Sequence, residues 1–151
     1  MNRFVNLPVL LAVLVVAGAV TFVVVNVAGA SRLATGPVAV VWDREACAHC
    51  RMHVGEPAFA VQLQTEDGRV LGFDDPGCAF LWEAEQRPDV HAWYFHDYRE
   101  DRWLAASEVA FVNLPHTPMG FGYGAVALGT AGSVSLDEAR SAVLHDASGG
   151  R

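Results

Sequence analysis

From Phe4 to Ser31 the chain carries no charged side chain, reading FVNLPVLLAVLVVAGAVTFVVVNVAGAS. An apolar helix needs about 20 residues to cross the hydrocarbon core of a bilayer, and this stretch exceeds that length. It has no polar face to turn toward water, so it does not suit the surface of a soluble domain. Arg3 and the terminal amine precede it, which favours a cytoplasmic N-terminus and export of everything beyond the helix; Arg32 stands just past the far end. Ala28-Gly29-Ala30 has the small-x-small form of a signal cleavage site. The apolar stretch is longer than the roughly 7–15 residues of a signal-peptide core, so residues 1–31 are expected to be an uncleaved single-pass anchor, with a cleaved signal as the alternative.

The remainder is acidic. All 17 Asp and Glu residues lie after residue 42, and from Arg32 onward nine arginines and no lysine leave a net charge of −8. Such a surface is unsuited to nucleic acid and suits a domain standing off an anionic membrane. Three cysteines allow at most one disulfide within the chain, so an exported form keeps one thiol over.

Residues 32–46 read as a linker containing Gly36-Pro37, and a folded domain is expected over 47–151. Alternation at Phe59, Val61 and Leu63, the turn Asp67-Gly68, and Val70, Leu71 and Phe73 predict a β-hairpin. CAFLWEAEQ (78–86) predicts a short helix stopped by Pro88, and VHAWYFHDY (90–98) a strand. Strands at 109–114 and 122–129 and a helix at 135–146 follow, the last opened by a Ser135–Glu138 capping box. The expectation is an α+β fold built as a duplicated small unit, with unit one over about 47–101 and unit two over about 102–147.

The chemistry concentrates in CAHCRMHV (47–54). Cys47-x-x-Cys50 permits several readings. A thioredoxin-like pair requires a following helix, which Gly55 and Pro57 interrupt. A zinc module would use Cys47, Cys50 and Cys78, and a plain disulfide also remains open. Met52 shifts the balance toward a soft ion, because thioether sulfur suits Cu(I) better than zinc. Alternation along an extended loop would point the Cys50 and Met52 sulfurs the same way. Met119, in HTPMGFG (116–122), sits in a turn with little core to fill, and His53 and His116 are further candidate ligands. Asp74-Asp75 precede the first domain helix, where capping is their simplest task.

CAHCRMHV, the FDDPGC block (73–78), the stretch from Trp103 to Val112 and TPMG (117–120) together resemble the NosL family, the exported copper chaperones that serve nitrous oxide reductase. The resemblance spans roughly residues 43–130. It implies two related ββαβ units. It also implies one Cu(I) held by Cys50, Met52 and Met119, with Cys47, His53 or His116 as further donors. Copper would pass, outside the cytoplasm, to apo nitrous oxide reductase with help from a membrane transport and maturation complex. Where such chaperones carry a lipidated cysteine, this chain has the apolar segment. Binding and transfer, not catalysis, would be the activity; a thiol–disulfide oxidoreductase working through Cys47 and Cys50 is the enzymatic alternative. For a shared site, the loop 47–53 and the turn 117–120 must face each other.

The anchor reading has a direct test. The full-length chain should stay with the membrane fraction after high-salt and alkaline washes. Recovery of a soluble exported form beginning at Ser31 would establish a cleaved signal instead.

Overall fold

The structure is a computed structural model describing residues 7–30 and 33–149. It divides into two compact units, one ending at Arg32 and one beginning at Leu33. The first is helix α1 (Leu7–Ala30). Its 18-residue window Pro8–Val25 has a mean hydropathy of 2.8 and is long and apolar enough to span a membrane. Within that window side chains are exposed on every side, as a lipid-facing helix requires.

The second unit is α+β. Strands β1 (Val61–Thr65), β2 (Val70–Phe73), β3 (Val90–His96) and β4 (Trp103–Ala105) form one antiparallel sheet in the order β2-β1-β3-β4. Val61 lies opposite both Phe73 and Phe95, which sets the register. Strands β5 (Val109–Asn113) and β6 (Tyr123–Ala127) form a separate antiparallel pair. Helix α2 (Pro76–Gln86) connects β2 to β3, and helix α3 (Leu136–Gly149) follows β6.

The hairpin and both domain helices lie where the periodicity places them. The second half does not repeat the first in its pairing. Residues 103–105 add a fourth strand to the first sheet, and β5, β6 and α3 make a strand-strand-helix run that ends at the last described residue. At three residues β4 is too short for alternation to reveal it.

Residues 33–46 are not a free linker. Gln62 and Gln64 point away from the apolar side of β1, yet both are buried, because the preceding segment lies across them. Gln62 Oε1 accepts from the Val38 N–H at 2.7 Å, and Gln62 Nε2 donates to Val38 O at 3.0 Å. Gln64 Nε2 donates to Gly36 O at 2.8 Å. Trp42 packs against the core and meets His96 edge-on. The amide side chains thus supply the hydrogen bonds that let an irregular segment cover a sheet face.

Phe80 of α2, Phe95 of β3 and Phe111 of β5 are fully buried and meet with ring centroids 5.2–6.1 Å apart. Their tilted and edge-on contacts join the helix to both sheets. At the start of α2, Asp75 adopts extended backbone and accepts the Gly77 N–H at 2.8 Å, with Pro76 at the first helical position. The other Asp75 oxygen accepts the Met119 N–H at 3.1 Å, and the Thr117 hydroxyl donates to the same carboxylate. A Cβ on Gly77 would lie 2.1 Å from the Phe121 ring, so only glycine lets the 117–122 segment close on the helix.

Asp75 should therefore govern the docking of that segment. Asp75→Ala removes a cap and strands a Met119 donor, an expected loss of about 2–3 kcal/mol in urea unfolding. A loss below about 0.5 kcal/mol would show that the carboxylate is not the tie.

Candidate metal centre

The segment Ala46–His53 is a tight hairpin. Ala46 and His53 bridge, the Cys47 N–H donates to Met52 O at 2.7 Å, and the Arg51 N–H donates to Cys47 O at 3.1 Å. The Ala48 N–H donates to Gly72 O at 2.9 Å, fastening the loop to the outer edge of β2. Arg51 has φ of 68°, a left-handed conformation that a non-glycine residue adopts at a cost of about 1 kcal/mol. This corrects the expectation of an extended loop. The left-handed residue breaks the alternation, so Cys50 turns partly inward while Met52 stays 57% exposed.

Three parts of the chain converge here. Cys47 and Cys50 come from the hairpin, Asp74 from the end of β2, and Cys78 from the first turn of α2. One ligand atom from each lies within 4.8 Å of every other. All three cysteines are free thiols. Cys47 and Cys78 are fully buried, Asp74 is buried, and Cys50 is half-buried. The Cys50 thiol lies 3.4 Å from both Asp74 oxygens and donates to the carboxylate. Three sulfurs and one oxygen at this spacing can hold a metal ion, since a common centre with metal–sulfur bonds of about 2.3 Å fits among them.

The protons of this cluster are unevenly held. The Cys78 S–H donates to Cys47 and draws the Cys47 thiol down from an ordinary 9.0 to about 6, against the effect of burial. Once Cys47 carries charge, further ionisation is opposed. Burial, reinforced by Cys47 and Asp74, pushes Cys50 up to about 11. Cys78 is raised further, first because its proton is committed to Cys47 and then by burial. The cluster therefore holds one ready thiolate, and its other two thiols ionise less readily, an arriving cation helping to displace their protons.

The other expected residues lie around this centre. Met52, His53, Asp74 and Pro118 line one cavity of about 290 Å³, so the loop and the 117–120 turn face each other across it. Met119 is half-buried against the core, and its backbone is tied to Asp75, the neighbour of the cluster's carboxylate. His116 is exposed. His49 pairs with Glu85 at 3.9 Å. His96, buried in β3, sits between Trp42 and Trp103 and bonds Asp101 at 3.2 Å.

Sequence reasoning gave both acids of the Asp74-Asp75 pair to capping. Only Asp75 caps; Asp74 turns to the thiols. The spacing offered a signal, since Asp74 and Cys78 are four apart across a helix start. Comparison with family models, curated proteins and solved structures yields no match for the chain.

A pH titration of thiolate ultraviolet absorbance should show one thiolate forming near pH 6 and a second near pH 11. Cys47→Ser should abolish the first step, and Cys78→Ala should raise it by about one pH unit or more. A pKa depressed from 9.0 to about 6 makes the Cys47 contribution to stability complete above pH 9 and progressively lost as pH falls toward 6. A single transition near the ordinary thiol value would exclude the hydrogen-bonded cluster.

Proposed function

We propose that this protein is a membrane-tethered Cu(I) chaperone of the NosL type, its domain standing outside the cytoplasm. The observation that carries the proposal is the clustering of Cys47, Cys50, Cys78 and Asp74 beside a cavity lined by Met52 and His53. Free thiols with a thioether at the mouth form a soft donor set, the kind that favours Cu(I) over harder ions. Copper is cargo here. Met52 is exposed and Cys50 is the one partly accessible thiol of the cluster, so these are the accessible donors.

Transfer would proceed by ligand exchange. A donor of the receiving protein enters at the mouth, displaces Met52 first, and then competes for the thiols. Release would return protons to the cluster, with Asp74 accepting the Cys50 S–H. The acidic surface would guide a partner with a basic face. By resemblance, the client is apo nitrous oxide reductase with its membrane maturation complex, and Met119 is a copper donor from the facing turn. The same resemblance implies that the fold derives from two related ββαβ units.

Asp74 favours a second reading. Three thiolates and one carboxylate form a four-donor set compatible with tetrahedral zinc, which accepts sulfur and oxygen together. Competition with a chromophoric Cu(I) chelator separates the two. Met52→Ala and Met119→Ala should each weaken Cu(I) binding by about tenfold or more while leaving zinc affinity unchanged, as soft-donor selectivity requires. If neither change alters Cu(I) affinity, the thioether site is wrong and the thiol–carboxylate zinc reading stands.

A further inference from the structure

The donor set contains more buried thiol than a transfer site requires. Cys47 and Cys78 are both 0% exposed and lie on different elements, whereas Cys50 alone is partly accessible. All three sulfurs lie within 4.8 Å of one another. A thiol displaces sulfur from a disulfide only on contact, so neighbouring sulfurs can exchange without rearranging the fold.

We propose that Cys47 and Cys78 form a disulfide outside the cytoplasm, that Cys50 admits the oxidising equivalent, and that oxidation changes the centre from a three-thiol set to a single thiol beside Met52. A small-molecule disulfide such as oxidised glutathione is the oxidant. The Cys50 thiolate attacks it, forming a mixed disulfide and expelling one glutathione thiolate. Cys47 attacks the Cys50 sulfur, forming Cys47–Cys50 and expelling the second. Cys78 attacks the Cys47 sulfur, forming Cys47–Cys78 and returning Cys50 as a thiol. Two cysteine thiols lose two electrons and two protons, and one glutathione disulfide becomes two glutathione thiols.

The final exchange has a direction. Cys47–Cys50 closes a loop of four residues and Cys47–Cys78 one of 32. The fold already closes both loops, so their lengths do not choose between the links. Joining Cys47 to Cys78 turns two buried sulfurs into one apolar group and leaves Cys50 its Asp74 contact. The bond would pin the metal-binding hairpin to the first turn of α2, holding Cys50 and Met52 in place after two thiols are withdrawn. In the reduced state three thiols and Asp74 stand beside the Met52 thioether; in the oxidised state one thiol, Asp74 and the thioether remain, a smaller set with a weaker hold on a soft ion.

The inference rests on the exported placement and soft-metal reading proposed above, but its test needs no copper. The full-length chain in detergent is equilibrated in oxidised and reduced glutathione, alkylated, digested and mapped by mass spectrometry. The expected product links Cys47 to Cys78 and carries the alkyl label on Cys50. Cys50→Ser should slow formation of that link by about tenfold or more, because the accessible thiol is lost. Cys78→Ala should trap Cys47–Cys50. A dominant Cys47–Cys50 link in the unaltered chain, three alkylated cysteines, or undiminished linkage in Cys50→Ser would each overturn the proposal. Loss of copper binding with the expected map intact would count against the chaperone reading alone.

Discussion

The buried carboxylate of Asp75 is the constraint on which the site depends. It is fully buried and accepts hydrogen bonds from Gly77, Met119 and Thr117. Burial pushes its carboxyl pKa up, and those donors work against the shift. One side chain thus starts helix α2 and holds the 117–120 turn against it. The helix start places Cys78, and the turn places Pro118 across the cavity from Met52. Phe121 packing on Gly77 reinforces the same junction by close contact.

The thiol cluster illustrates how a fold makes adjacent groups chemically unlike. Cys47, Cys50 and Cys78 begin with the same intrinsic acidity. Donation from Cys78 makes Cys47 the first to ionise, and the resulting charge, with Asp74 nearby, makes the others hold their protons. The centre presents one thiolate to an arriving cation and gains the others as the cation displaces protons. Accessibility adds a second inequality. Of the three thiols only Cys50 is partly accessible, so an entering group meets the thiols there first. The left-handed Arg51 creates this arrangement, turning Cys50 inward while leaving Met52 at the surface.

The apolar helix and the acidic domain suit different solvents. The helix exposes apolar side chains all round, and the domain hides its own behind Phe80, Phe95 and Phe111. The segment 33–46 does not merely connect them. Through Gln62 and Gln64 it closes one face of the central strand, so the domain begins at Leu33 rather than at the first cysteine.

By itself the sequence determined the features that depend on local composition and period. These include the apolar helix, the hairpin turning at Asp67-Gly68, helices α2 and α3, the capping box at Ser135, and the concentration of sulfur between Cys47 and Met52. Each follows from neighbours a few residues apart. Only the tertiary structure decided that β4 extends the first sheet, that residues 33–46 cover buried glutamines, and that Asp74 leaves the capping pair to join the thiols. It alone brought Cys78 to Cys47 across 31 positions. Those outcomes depend on which surfaces meet after collapse, and on where a buried polar group finds its partner; local periodicity contains neither.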